Sequence, residues 1–172
     1  MNSFRPARDG DEPFLDALYE GTRREEVLAW GVDAAFAHTF LTDQARVQRR
    51  AYAMQYPAAE HRILLVQDAP AGRLIIDRGA DWALIDISVL PALRGKGLAT
   101  WALRPLLDEA SAADRVVQLL VAPTNPARRL YERLGFMEVA LPSGSSAAQP
   151  SPSAPALGAA PMLQMQWRRT PR

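Results

Sequence analysis

Four residues near the middle of the chain, Arg94-Gly95-Lys96-Gly97, combine two cations with two glycines between a predicted strand and a predicted helix. Glycine lets the backbone come close to a ligand, and the N–H groups in the first turn of a helix have no intrahelical partners. The helix dipole adds partial positive charge at the same end. The stretch therefore predicts an anion site, most naturally for phosphate or pyrophosphate, with an ordinary turn bearing solvated cations as the alternative.

The flanking residues place this turn between two regular elements. Ile85, Ile87 and Val89 alternate with Asp86 and Ser88, which is the period of a strand with one buried face. Pro91 ends that strand because it has no N–H to donate. After Gly97, apolar residues return at helical spacing, namely Leu98, Trp101, Ala102 and Leu106.

The spacing excludes two familiar phosphate loops and matches a third. No Gly-x-x-x-x-Gly-Lys-Ser/Thr string occurs in the chain. The Gly-x-Gly-x-x-Gly pattern also fails, because Gly95 and Gly97 match its first two glycines but Thr100 stands at the position of the third. The pattern Arg94-x-x-Gly97-x-Ala99 instead resembles the acyl-coenzyme A pyrophosphate loop of the GNAT superfamily of N-acetyltransferases.

A second segment resembles the same family, in the right order and at a suitable distance. The family's pattern there is Asn-x-x-Ala-x-x-Leu-Tyr-x-x-x-Gly-Phe. Residues 124–136 of this chain match it in register at Ala127, Leu130, Tyr131, Gly135 and Phe136. Thr124 stands where the family usually has Asn, and Asn125 follows one residue later.

The resemblance implies an α/β (α+β) GNAT fold. This is a mixed, twisted sheet of six to seven strands with helices on both faces, whose central strands, ending near Val89 and starting near Val116, splay apart. It also implies acetyl-CoA as co-substrate, with its pantetheine arm in that gap. The implied cofactor-binding residues are the Val89 backbone, Arg94, Gly95, Lys96, Gly97, Leu98, Ala99, Thr100, Asn125 and Arg128.

The resemblance also implies catalytic roles for Tyr131 and Asp86. A tyrosine with a pKa of about 10 is neutral at pH 7 and could protonate the leaving thiolate, although packing against the sheet is an alternative. A lysine-like amine with a pKa of about 10.4 needs a base, for which Asp86 is the first candidate and Glu138 and His61 are weaker ones. Asp86 could equally pair with an arginine within the sheet. Because the chain has no cysteine, direct attack in a ternary complex is the expected mechanism.

Composition indicates one globular domain over residues 1–172. The chain is 48% hydrophobic and 23% charged, with a formal net charge of +1, which gives no signal for nucleic acid or membrane partners. No segment resembles a membrane span or a secretory leader, so the expected location is the cytoplasm. His38 and His61 lie apart, so we expect no metal. Lys96, the single lysine, lies in the proposed anion site.

The predicted element order is β–α–α–β–β–β–α–β–α–β–β. Within it we expect a helix capped by Asp9 or Asp11 that breaks at Gly21-Thr22, and a turn over residues 68–72. A long helix after Asp33 should bury Phe36, Phe40, Val47, Ala51 and Met54. The helix starting at Gly97 should kink at Pro105, and Asn125 should cap the next helix. A Pro/Ala/Ser-rich insert, residues 142–161, should separate the last two strands, as a passive linker or a substrate lid.

The expected acceptor is a primary amine on a small molecule or a peptide, and its identity is not encoded in any motif. The expected oligomeric state is a monomer or a homodimer. Two other functions stay open: a noncatalytic domain that binds or senses acyl-coenzyme A, and an interaction module of a larger assembly.

Overall fold

The computed structural model describes residues 1–140 and 162–169, and its element order agrees with the predicted one. The strands are β1 (Asn2–Pro6), β2 (Glu60–Val66), β3 (Ala69–Arg78), β4 (Trp82–Val89), β5 (Val117–Val121), β6 (Met137–Val139) and β7 (Leu163–Trp167). The helices are α1 (Glu12–Leu28), α2 (Ala34–Gln55), α3 (Leu98–Ala112) and α4 (Arg128–Arg133), with 3-10 turns at Asp9–Asp11 and Pro91–Leu93. The predicted insert, residues 142–161, lies outside the described residues.

The seven strands form one mixed sheet in the order β1-β2-β3-β4-β5-β7-β6, flanked by helices as predicted. β1 pairs antiparallel with β2, and β7 pairs antiparallel with both β5 and β6. The connections from β2 to β3 and from β3 to β4 are too short for a crossover, so these neighbours are antiparallel as well. β4 and β5 are joined through α3 and run parallel.

The parallel pairing of β4 with β5 is short. In the described residues it covers only Trp82 with Val117 and Ala83 with Gln118, although both strands continue. On its other side β5 stays paired with β7 along its whole length, from Val117 to Val121. The backbone edge of β5 that faces β4 therefore lacks strand partners beyond Gln118, as the predicted splay requires.

The described residues cluster into two compact units, which are Met1–Leu74 with Ile87–Leu98, and Ile75–Asp86 with the residues from Ala99 onward. In the first unit, α1 and α2 share a core that includes Tyr19, Val27 and residues of α2. No helix in the described part of the chain has the length and apolar character needed to cross a membrane.

The buried face of α2 differs from the predicted one. Asp33 caps the helix as expected, accepting the Phe36 N–H at 2.7 Å. Phe36 and Met54, however, are 52% and 84% exposed, and the buried residues are Ala37, Leu41, Ala45, Gln48 and Tyr52. The prediction was wrong because it followed the largest side chains, whereas alanines at Ala37 and Ala45 form part of the buried face.

The start of α1 also departs from the prediction. Asp11 precedes the helix but makes no capping bond to it. Its carboxylate accepts two bonds from the Arg5 guanidinium, at 2.7 and 2.6 Å, and one from the Arg8 N–H at 2.8 Å. The bond from Arg5 is the main cause that lowers the pKa of Asp11 to about 2. Asp11 thus ties β1 to the 3-10 turn before α1.

Two glycines that were predicted to break structure lie inside regular elements. α1 runs without interruption through Gly21, and β3 begins at Ala69, so that Gly72 is a strand residue. The turn before β3 is formed by Gln67 and Asp68, whose φ angles of 51° and 63° are typical of a two-residue hairpin turn. α3 is continuous through Pro105, and the kink there stays a prediction.

Gly72 is required by a close approach of β4. A Cβ at this position would lie 2.4 Å from the carbonyl oxygen of Ser88 and 3.3 Å from Cα of Val89. The Leu90 N–H donates to the Ala71 carbonyl at 2.9 Å, which fixes the end of β4 beside this point of β3. The strand end that leads to the proposed anion site therefore depends on a glycine in its neighbour.

We expect Gly72→Ala to lower the free energy of unfolding by about 2–3 kcal/mol, because the added methyl group displaces backbone rather than a mobile side chain. Urea denaturation measures the change. Gly10→Ala is the matched control, since a Cβ there meets nothing within 4 Å. Equal stability of the two variants would contradict the expected clash.

Candidate functional site

The predicted anion site follows the end of β4. The 3-10 turn Pro91–Leu93 closes with the Leu93 N–H on the Leu90 carbonyl at 2.9 Å and the Arg94 N–H on the Pro91 carbonyl at 3.2 Å. Gly95 and Gly97 follow with φ angles of 73° and 76°, and α3 begins at Leu98. Residues with a Cβ disfavour that left-handed conformation, so the two glycines make this turn possible. We call residues 94–98 the anion cradle.

The backbone of the anion cradle is accessible. In the part of the chain that the structure describes, the N–H groups of Gly95, Lys96 and Gly97 donate to no protein acceptor. All three residues are exposed, and a Cβ built on either glycine meets no atom within 4 Å. Amides without protein acceptors next to a helix N-terminus, with open space beside them, fit a diphosphate group.

The two cations of the anion cradle are held differently. Arg94 Nε donates to the Val89 carbonyl oxygen at 3.2 Å, so the guanidinium stays beside the strand end. Lys96 is exposed, and within the described residues no carboxylate forms an ion pair with it. Because Arg94 occupies one lone pair of the Val89 carbonyl, a pantetheine contact at Val89 must use the other lone pair or the N–H.

The two predicted catalytic residues, Asp86 of β4 and Tyr131 of α4, interact in the second unit. Both are 7% exposed. Burial raises the pKa of Tyr131 above its ordinary value of about 10, and the negative charge of Asp86 raises it further. The tyrosine ring also packs edge-on against Phe136, with ring centroids 5.7 Å apart.

The Tyr131 side chain is largely buried, with 7% of the residue exposed. Among the described residues its hydroxyl has no protein hydrogen-bond partner. A tyrosine that only filled the core would bury this hydroxyl against an acceptor. The ring packs in the core, as the packing alternative expects, and the catalytic role of the hydroxyl stays a prediction.

The segment around α4 differs from its prediction at the start and agrees at the end. α4 begins at Arg128, and the Asn125 Oδ1 accepts the Ala127 N–H at 2.9 Å, which closes a turn before the helix rather than capping it. Gly135 follows the helix with a φ of 94°, as the predicted left-handed cap. Asn125 is exposed, and its cofactor contact stays a prediction.

Arg128 carries two ion pairs that the sequence did not indicate. Its Nε lies 3.0 Å from a carboxylate oxygen of Glu132, and its Nη2 lies 3.3 Å from one of Glu138. A phosphate bound by Arg128 would therefore compete with two carboxylates. Glu138, a weaker candidate base, thus lies in an ion pair with Arg128.

Sequence reasoning missed two glycines that face the segment around the end of β4, Gly21 and Gly72. Both were interpreted as local breaks, whereas each allows another segment to approach. A signal was present for Gly21, because a glycine inside a long amphipathic helix costs about 1 kcal/mol relative to alanine and calls for a packing reason. Within the described residues, no group of three or more His, Asp or Glu side chains is placed to hold a metal ion.

Known proteins resemble this chain in sequence pattern and in fold. The family model described as the acetyltransferase (GNAT) family matches residues 15–136. A search of curated proteins found no match. Among solved structures, the fold is similar to PaiA N-acetyltransferase from Thermoplasma acidophilum in complex with coenzyme A, with a TM-score of 0.63 at 10% identity over 98% of this chain and 99% of that one.

Two further solved structures share the fold. The ribosomal-protein-S18-alanine N-acetyltransferase from Escherichia coli gives a TM-score of 0.57 at 19% identity, over 98% of this chain and 94% of that one. A spermidine N-acetyltransferase chimera of SpeG from Vibrio cholerae and hSSAT gives 0.62 at 18% identity, over 97% and 95%.

Proposed function

Because the chain belongs to the GNAT acetyltransferase family, we propose that it transfers an acetyl group from acetyl-CoA to a primary amine by direct attack in a ternary complex. The observation that carries the proposal is the set of accessible amides at Gly95, Lys96 and Gly97, which have no acceptor in the described protein. Bound acetyl-CoA supplies the acetyl group as an activated thioester. Residues of this chain bind the coenzyme, protonate the leaving sulfur and accept the proton of the amine.

The anion cradle binds the diphosphate of the coenzyme. The three amides donate to its oxygens, and Lys96 and Arg94 neutralise its charge. The Ala99 N–H and the Thr100 N–H and hydroxyl extend the same helix terminus. Because no described strand pairs with β5 on its β4 side beyond Gln118, its backbone groups can bond an extended pantetheine arm as a further strand would.

Tyr131 holds the proton that the leaving sulfur needs. Its raised pKa keeps the hydroxyl protonated at neutral pH, and the hydroxyl has no protein acceptor within the described residues. A thiol with a free pKa of about 8.5 leaves readily once a proton donor is at hand.

Asp86 receives the proton of the attacking amine, directly or through water. Its carboxylate is nearly buried and lies close enough to Tyr131 to raise the tyrosine pKa. The same negative charge attracts the cationic amine to the site, where the amine gives up its proton before it attacks, and it keeps Tyr131 in its protonated form. One carboxylate thus supports both the acid and the base role.

A panel of amines is needed to identify the acceptor, because no sequence motif indicates which amine it is. Isothermal titration with coenzyme A measures binding, and thiol release from acetyl-CoA measures transfer to polyamines, aminoglycosides, amino acids and peptides with free N-termini. We expect coenzyme A to bind and at least one amine class to accelerate thiol release above the amine-free rate.

Two outcomes would contradict this function. Binding of coenzyme A without transfer to any amine class would favour the noncatalytic sensing domain. Absence of binding would remove the anion cradle from the account and leave an interaction module built on the same fold.

A further inference from the structure

Gly21 contacts the segment that leads into the anion cradle. A Cβ on Gly21 would lie 3.2 Å from both Cγ and Cδ of Pro91, a residue of the 3-10 turn after β4. Separations of this size force one of the two groups to move. Both proline atoms are carbons, so the effect of a methyl group on Gly21 would be steric only.

The local preference of the helix runs against glycine at this position. Gly21 lies in the interior of α1, where alanine would be more stable by about 1 kcal/mol. Its φ is not in the left-handed region, so the helix itself does not require glycine. The contact with Pro91 is the feature of this site that a larger residue would disturb.

A methyl group on Gly21 would displace the turn that contains Pro91. The proline ring is closed onto its own backbone and cannot rotate away as a flexible side chain would. α1 is anchored on both sides of Gly21 by Leu18 and Val27, each 1% exposed, whereas Pro91 and Ala92 are exposed. A push from α1 therefore displaces the turn rather than the helix.

A displaced turn would carry the anion cradle with it. The Arg94 N–H is bonded to the Pro91 carbonyl, so the backbone of the first cradle residue is tied to this turn, while its Nε is bonded to the Val89 carbonyl at the end of β4. A shift of Pro91 thus moves Arg94 and the amides that follow it.

We propose that Gly21 is a positioning residue for the anion cradle, which sets the distance between α1 and the Pro91 turn and so the placement of the diphosphate-binding amides. The inference rests on the proposed function, since it concerns binding of coenzyme A. It gives α1 a role in cofactor affinity that neither sequence motif contains.

The test compares four variants of the full chain, namely Gly21→Ala, Pro91→Ala, the double variant and the control Gly10→Ala. Isothermal titration gives the Kd for coenzyme A, and thermal unfolding gives Tm. We expect Gly21→Ala to raise the Kd about tenfold while Tm stays equal or rises, because alanine favours the helix. Removing the proline ring relieves the contact, so the double variant should bind within about twofold of Pro91→Ala.

The outcomes separate this inference from the function on which it rests. A wild-type protein that does not bind coenzyme A contradicts the proposed function and this inference with it. The positioning role alone is overturned by wild-type affinity in Gly21→Ala, or by a double variant that binds about tenfold more weakly than Pro91→Ala. If Gly21→Ala does not fold, the double variant decides: folding and binding like Pro91→Ala support the role, and any other result overturns it.

Discussion

Replacement of Gly97 by valine is expected to raise the Kd for coenzyme A about 100-fold, because two charge-assisted hydrogen bonds of about 1.5 kcal/mol each are lost with the cradle geometry. A β-branched residue is strongly disfavoured at a φ of 76°, so the backbone at this position must change. Its side chain would also occupy the open space beside the amides, where nothing lies within 4 Å. Isothermal titration measures the loss.

Gly31→Val is the matched control for this variant. Gly31 has a φ of 82° and equally open surroundings, but it lies between α1 and α2. The two substitutions should therefore cost similar stability, while only Gly97→Val should weaken binding. Equal affinities of the two variants would remove Gly97 from the cofactor site.

Tyr131→Phe is expected to lower turnover about 100-fold, the lower end of what a positioned general acid contributes, with little change in the Kd for coenzyme A. The substitution keeps the ring that packs against Phe136 and removes only the hydroxyl. Steady-state thiol release with the best amine of the panel measures it. Tyr19→Phe serves as control, because burial also raises the pKa of Tyr19 and nothing assigns it to the site.

The pH dependence follows from the direction of the tyrosine pKa. Because the folded-state pKa of Tyr131 lies above the ordinary value of about 10, the hydroxyl is protonated below pH 10 and its stabilising contribution is lost only as the pH rises beyond that. The wild-type rate should therefore show no alkaline limb from Tyr131 between pH 7 and 10. Full activity of Tyr131→Phe would leave the residue a packing role.

The sequence predicted those features that depend on neighbours along the chain. The order of the elements, the Asp33 cap and the glycines at Gly97 and Gly135 are local, because each follows from the conformation that one turn or helix end demands. The catalytic roles of Asp86 and Tyr131 come from the family resemblance rather than from spacing and stay predictions, while the charge of Asp86 adds to the raised pKa of Tyr131.

The features that the sequence did not predict depend on residues distant along the chain. In the sequence, Gly21 and Gly72 resemble residues that end a helix or a strand. The structure instead places Pro91 next to Gly21 and Ser88 next to Gly72. The sequence did not predict the ion pair between Arg128, a proposed phosphate ligand, and Glu138, whose carboxylate lies 3.3 Å from it. The face of α2 was misassigned because Ala37, Ala45 and the polar Gln48 are buried there, while Phe36 and Met54 are exposed.

The central claim is that the amides of the anion cradle bind the diphosphate, and an amide chemical-shift titration of the full chain with coenzyme A tests it most directly. Gly95, Lys96 and Gly97 donate to no acceptor within the described protein, so their N–H resonances should move strongly downfield as they gain phosphate oxygens, and pantetheine, which lacks the diphosphate, should leave them in place. Resonances of these three residues that stay fixed while others respond to coenzyme A would contradict the account.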